Sequence, residues 1–262
     1  MLKVRLIPVL LLKSGMLVRS ERFTTHQIIG NPFHEVRRFN EWQVDELIYL
    51  DITRADETGG HRRDVKIRSV SDPLAVLDEV SRTCFMPLTF GGRIRSVEDM
   101  RLRLLRGADK VTVNTGAILD PKLIPAGAQA FGSQAIVVSI DVLHSPGGRR
   151  CVMTNNGNTA TGLDPLDWAR RARDSGAGEI LLQSIERDGT ATGYDIDLIH
   201  DVASAVDIPV IALSGAGTYD HYAEAVLAGA SAVAAANLWH FKDLADRNGK
   251  RSMQAAGIDV RF

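Results

Sequence analysis

Cysteine, aromatic side chains and an excess of either charge are all scarce in this chain of 262 residues. Two cysteines, Cys84 and Cys151, do not make a disulfide scaffold and suit a reducing compartment. Aromatics make up 6%, too few for the stacking platforms that grip single-stranded nucleic acid. Lys and Arg number 31 against 32 Asp and Glu, a net charge of −1, so no basic face for nucleic acid or anionic lipid is expected. Long apolar runs are missing as well. The stretch Leu6–Leu12 has only a strand's length and Lys13 ends it. The first five residues lack the apolar core and small-residue cleavage site of a signal peptide. These absences point to a soluble, cytoplasmic protein with no membrane span, nucleic-acid partner, metal or cofactor.

What is present is alternation. Short apolar runs at Val4–Leu12, Glu46–Ile52, Met86–Phe90, Lys110–Asn114, Ala135–Val142, Glu179–Ser184, Ile208–Leu213 and Ser231–Ala236 read as strands. Most are continuous rather than alternating, as in parallel strands buried on both faces. Amphipathic stretches at 32–43, 72–83, 96–106, 121–131, 164–175, 195–206, 218–228 and 242–256 read as helices. Ser96 and Asp164-Pro165 are start signals, and Gly107, Gly176 and Gly229 are stop signals. Eight strand–helix units predict one (β/α)8 barrel of class α/β occupying residues 1–262. An open doubly wound sheet fits less well, because no G-x-G-x-x-G follows the first strand. Long connections at 13–31, 53–71 and 142–163 follow the first, second and fifth strands. They mark the C-terminal face as the working one.

The halves of the chain resemble each other. Phe90-Gly-Gly-Arg-Ile94 with Gly107–Asn114 is echoed by Leu213-Ser-Gly-Ala-Gly217 with Gly229–Ala236, and Asp45–Ile52 by Gly178–Ile185. Such a half-barrel duplication places two similar sites across one mouth. Glycine turns followed by small or polar residues suit an anion such as phosphate. One candidate set is Gly92, Asn114 and Thr115; the other is Gly215, Gly217 and Asn237. Asp141 ends the fifth strand as a candidate acid–base group, but its equivalent on the first strand is Leu11. Asp51 and Asp188 are the other acids available near strand ends. At strand beginnings stand Arg5, Glu46, Lys110 and Glu179, expected to form a salt-bridge ring at the barrel floor. Such a ring serves either as a structural plug or as a gate over a passage along the axis.

Several segments together resemble a known family. Asp45–Thr53, Arg106–Thr115, Phe131–Ala135, Gly176–Leu182, Glu186–Tyr194 and His240-Phe241 are similar to the cyclase subunit of imidazole glycerol phosphate synthase, over essentially the whole chain. The resemblance implies a synthase or lyase subunit that accepts ammonia from a separate glutaminase subunit docked on its floor. No glutaminase domain fits beside a barrel of this length, so a heterodimer is expected. It assigns Arg5, Glu46, Lys110 and Glu179 to an ammonia gate and Asp109 to the partner-facing surface. Arg19, Ser184 and Gly189 join the candidate phosphate residues in the expected substrate-binding set.

The sequence also departs from that family. Leu11 stands where the first-strand motif carries a catalytic aspartate, and Arg19 replaces a lysine. The three-glycine turn is Gly91-Gly-Arg93, the Ser-Gly-Gly turn is Leu213-Ser-Gly215, and Asn237 replaces a serine. This altered set resembles a side branch associated with sugar amidation in surface-polysaccharide biosynthesis. There the barrel works with a glutaminase-like partner and a separate sugar amidotransferase. The expectation is an ammonia-accepting barrel serving such a sugar. The alternatives are a genuine histidine-pathway cyclase, which closes the imidazole ring, and a non-catalytic ammonia conduit that docks partners.

Overall fold

The computed structural model describes residues 3–54, 72–145 and 147–262. Arg5–Lys13 (β1) turns back into two antiparallel strands, Met16–Glu21 (β2) and Thr25–Gly30 (β3), before helix Pro32–Trp42 (α1). Then follow Leu47–Asp51 (β4), Pro73–Ser81 (α2), Leu88–Gly91 (β5), Val97–Leu105 (α3) and Lys110–Val113 (β6). Thr115–Leu119 (α4) and Leu123–Phe131 (α5) lead to Ile136–His144 (β7), which is extended by Arg150–Thr154 (β8) and Thr159–Ala160 (β9). The second half continues with Pro165–Asp174 (α6), Glu179–Ser184 (β10), Ile196–Ala205 (α7), Val210–Leu213 (β11), Asp220–Leu227 (α8) and Ala232–Ala235 (β12). Asn237–Phe241 (α9) and Ala245–Ala255 (α10) complete it.

Strands β1, β4, β5, β6, β7, β10, β11 and β12 pair in parallel, and β12 returns to β1, closing an eight-stranded barrel. The predicted (β/α)8 class is what the chain adopts. Helix starts follow local chemistry. Ser96 and Asp99 form a reciprocal capping box on α3, and Asp164 accepts from Leu166 N ahead of Pro165 on α6. A large apolar layer lies between strands and helices, including Phe39, Tyr49, Phe90, Trp239 and Met253. A smaller cluster fills the barrel axis, with Ile7, Val9, Leu11, Ile48, Leu50, Val137, Leu181 and Ile211.

Two parts of the sequence reading differ from the fold. The connections at 13–31 and 142–163 contain strands β2, β3, β8 and β9, which are short, partly polar and antiparallel. The helices α4 and α9, each of five residues, fall below any useful periodicity. Most of the 53–71 connection lies outside the described residues.

The barrel floor carries the expected charges. Arg5 Nη1 lies 2.5 Å from Glu46 Oε2 and 3.1 Å from Glu179 Oε1. Lys110 Nζ lies 2.5 Å from Glu46 Oε1 and 3.2 Å from Glu179 Oε2. Each cation therefore touches both acids, which is the condition for burying such groups. Asp109 is exposed beside this ring and accepts from Leu88 N at 2.8 Å. Among the described residues, no helix is long and apolar enough to cross a membrane.

Candidate active site at the barrel mouth

The C-terminal ends of the barrel strands surround a cavity of about 670 Å³, the size of a small-molecule site. Leu11 from β1, Asp51 from β4, Asp141 from β7 and Gln183 from β10 line it, with Gly92, Asn114, Thr115 and Asp188 from the following turns. Ser20 and Phe23 from the β2–β3 hairpin, and Asn155 and Asn156 from the β8–β9 turn, reach it from above. The two unpredicted hairpins are thus the roof of the site. Asn156 Nδ2 donates to Ile52 O at 2.7 Å and Asn155 N to Thr115 Oγ1 at 3.0 Å, which pins that roof to the first half of the barrel.

Asp141 is 7% exposed. Its Oδ1 accepts from Ser139 Oγ at 3.1 Å and Gln183 Nε2 at 3.0 Å. Burial pushes this carboxyl up to about 7, against the lowering effect of those hydrogen bonds, and the charge of Asp188 adds to the rise. A carboxyl poised there exchanges protons readily near neutrality. Asp188 is raised too, chiefly by burial, while Ser20 Oγ at 2.6 Å and Phe23 N at 3.2 Å donate to its Oδ2.

Asp51 has a different environment. Its Oδ1 takes Thr53 N at 3.1 Å and Thr53 Oγ1 at 2.6 Å, while Arg93 Nε and Nη2 both lie 2.6 Å from Oδ2. A carboxylate satisfied on both oxygens and paired with a guanidinium is an anchor rather than a proton carrier. Gly92 adopts φ +102°, and a Cβ there would come within 2.2 Å of Asp51 O. Close packing against Asp51 therefore demands this glycine, independently of any anion.

The second candidate phosphate set is placed otherwise. Gly215, Gly217, Asn237, Ser184, Gly189 and Arg19 do not line the cavity. Gly215 lies beneath the turn after β10: Gly193 N donates to its carbonyl at 2.9 Å, and a Cβ would meet Gly193 O at 2.1 Å. The Gly217 and Thr218 amides donate to His221 Nδ1 at 3.2 and 3.4 Å, so an internal side chain already holds them. Asn237 Nδ2 donates to Ser20 O at 3.1 Å, joining α9 to the roof hairpin. Arg19 alternates with the cavity-lining Ser20 along β2 and is carried to the opposite face.

Gln183, Ser139 and Arg93 belong to the site, but the sequence reading did not single them out as functional. The repeat held a signal for the first, since Gln183 occupies the position equivalent to Leu50. Among the described residues, no cluster of three or more His, Cys, Asp or Glu side chains is placed to hold a metal ion.

Comparison with known proteins agrees with this architecture. A family model described as "Histidine biosynthesis protein" matches residues 5–245. Two curated relatives from strains of Caulobacter vibrioides are named imidazole glycerol phosphate synthase subunit HisF. Each is 44% identical over an alignment of 267 positions, covering 100% of this chain and 97% of the relative.

Proposed function

This chain belongs to the histidine biosynthesis protein family, and on that premise we propose that it is the cyclase-type, ammonia-accepting barrel subunit of a glutamine-dependent synthase. The observation that carries this reading is Asp141, a buried carboxyl poised near neutrality at one end of a barrel whose other end is closed by the Arg5–Glu46–Lys110–Glu179 ring. Ammonia delivered by a glutaminase-type partner on the floor meets its acceptor at the mouth. Addition of ammonia to a carbonyl carbon moves a proton from nitrogen to a carboxylate. That proton passes to the carbonyl oxygen, and a second one, carried from nitrogen in the same way, lets the oxygen depart as water and leaves an imine. One carboxyl near pKa 7 performs both transfers in turn, and Asp188 is a second acid whose charge acts on it. The charge ring acts as the gate, and Asp109 lies on the docking face.

Between the recipients considered, the relatives' names favour ring closure in histidine biosynthesis, and none of them points to sugar amidation. One observation keeps the second recipient in view. Leu11 offers an aliphatic wall where the resembling family places an acid, and the neighbouring Leu50 is aliphatic as well. A barrel serving a sugar amidotransferase would retain the floor and change this wall.

The test is turnover of the ribonucleotide precursor with ammonium by the purified chain. Formation of imidazole glycerol phosphate, lost in Asp141→Asn, is the expected result. A folded chain that makes no such product, yet stimulates a glutaminase partner, moves the assignment to another recipient. Turnover undiminished in Asp141→Asn would reduce the barrel to a conduit.

A further inference from the structure

Gln183 stands directly above the axial apolar cluster, on the strand that begins with an acid of the floor ring. Side chains alternate along β10, so Glu179 at the floor, Leu181 in the axial cluster and Gln183 at the mouth share one inward face. On β7 the same face carries Val137, Ser139 and Asp141. The register sets Leu181 beside Ser139 and Gln183 beside Asp141. A small molecule leaving the apolar axis towards the mouth on this side of the barrel therefore meets Gln183, Ser139 and Asp141 together.

The Gln183 side-chain amide has one orientation open to it. Its Nε2 donates to Asp141 Oδ1 at 3.0 Å and to Ser139 Oγ at 3.1 Å. The Ser139 hydroxyl directs its own hydrogen to Asp141 Oδ1, also at 3.1 Å. Both neighbours thus present lone pairs to Gln183, and only the NH2 end can face them. The carbonyl end is left over. Among the described residues no group donates to Gln183 Oε1, and that oxygen is not sealed inside the protein, because Gln183 lines the cavity. The residue as a whole is 7% exposed, and an amide oxygen kept without a donor in such a place costs free energy. Leu50, the equivalent residue of the repeat, fills its place with an alkyl group, so closing the barrel does not call for an amide here.

We infer that Gln183 receives the nitrogen, its Oε1 accepting an N–H of ammonia where the axis opens into the mouth and holding it beside Asp141. The inference rests on the ammonia-accepting reading proposed above and deepens it. Ammonia carries three N–H groups and one lone pair, and the lone pair must stay free to attack carbon. A hydroxyl or ammonium donor would occupy that lone pair. A carbonyl only accepts, so it grips an N–H and leaves the lone pair turned outward. The amide is also neutral and exchanges no proton, which leaves proton transfer to Asp141 once the N–C bond forms. Because Nε2 and Oε1 belong to one planar group, the nitrogen is held at a fixed place relative to the Asp141 carboxyl, and such placement is itself a source of rate.

The first arm of the test needs no turnover. The full chain, labelled with nitrogen-15, is titrated with ammonium chloride at pH 8 while the Gln183 side-chain amide signals are followed by NMR. Those signals are identified by their loss in Gln183→Met or, if that variant does not fold, in Gln183→Glu. Tetramethylammonium chloride, which has the charge but no N–H, is the control. A saturable shift with ammonium and none with tetramethylammonium is expected; no shift with ammonium, or equal shifts with both, overturns the inference. The second arm is kinetic, at the alkaline plateau with the ribonucleotide precursor saturating. Gln183→Met is expected to raise KM for ammonium at least tenfold while KM for the precursor stays within twofold. Gln183→Glu, which keeps an acceptor oxygen, should recover most of the ammonium KM. A purely structural role would move both KM values together, and that outcome, or an unchanged ammonium KM in Gln183→Met, also overturns the inference. A chain whose Gln183 amide responds to ammonium alone but which closes no imidazole ring keeps the inference and rejects ring closure as its reaction.

Discussion

Gln183 and Asp141 are cross-strand partners on β10 and β7, and the Gln183 amide donates to Asp141 Oδ1 at 3.0 Å. The half-barrel repeat supplies an image of this pair, Leu50 with Leu11, aligned as neighbours on β4 and β1. At this pair of positions the second half of the mouth is polar and able to exchange protons, and the first half is aliphatic. Duplication produced the frame, and divergence left the chemistry on one side.

The amide sets the acidity of its neighbour. Donation to the ionised carboxylate favours that form and partly offsets the burial that drives Asp141 up to about 7. Gln183→Leu is expected to raise the value further. Where the ionised form is the active base, the acidic limb of the pH–rate profile moves to higher pH, while the rate at the alkaline plateau changes less. A profile identical to wild type would detach Gln183 from the acid–base step.

Asp141 itself is a stability cost at neutral pH. Its folded value lies above the ordinary 3.8, so the folded protein binds the proton more tightly than the unfolded chain. Stability from this group is complete below about pH 4 and declines as pH rises towards about 7. Asp141→Asn should therefore unfold later than wild type at pH 8, by an amount on the order of a few kcal/mol, with the gap closing towards pH 4. The same variant is expected to lose about 10²–10⁴-fold in turnover. Denaturant melts at several pH values, alongside ammonium-driven assays, check both halves.

Much of this arrangement was legible from residues alone. Buried parallel strands are continuous apolar runs, so the eight barrel strands and the helices after them announce themselves. Asp141, Asp51, Asp188, Gly92, Asn114 and Thr115 were placed by strand ends and glycine turns, and the fold does bring them to one cavity. The roof was not legible, because β2, β3, β8 and β9 are antiparallel additions with little apolar pattern. Nor was the difference between the two glycine turns. Gly92 and Gly215 look alike in sequence, yet one flanks the cavity and the other is covered by the turn at Gly193. That depends on loop packing, which a local motif does not encode.

The floor offers a way to separate a plug from a gate. Lys110 contacts Glu46 and Glu179, and Lys110→Met leaves both acids leaning on Arg5 alone. A stability loss of up to about 3–5 kcal/mol is expected either way, since one partner of a largely buried network is gone. A gate makes a further demand. With the glutaminase partner present, glutamine-driven turnover should fall several-fold, while turnover with added ammonium is retained. An equal fall in both assays would favour the structural plug.

Leu11→Asp asks what the aliphatic Leu11–Leu50 pair is for. Leu11 is 7% exposed and packs in the axial cluster with Ile7, Val9, Val18, Ile48 and Leu50. A carboxyl introduced there is desolvated, so its pKa is raised and its charge is costly at neutral pH. The variant should be about 2–4 kcal/mol less stable than wild type at pH 8, and the deficit should shrink as acid protonates the group. At the same time it restores an acid facing the cavity that Asp141 lines, the arrangement in the family this chain resembles. If ring closure is the chain's own reaction, performed with one acid, turnover with ammonium should rise at least tenfold in Leu11→Asp. If wild type closes no ring and the variant gains that activity, Leu11 is the residue that turned the barrel towards another recipient. A folded variant with ring closure unchanged from an active wild type would show that the second acid is dispensable here and that Asp141, assisted by Gln183 and Asp188, suffices.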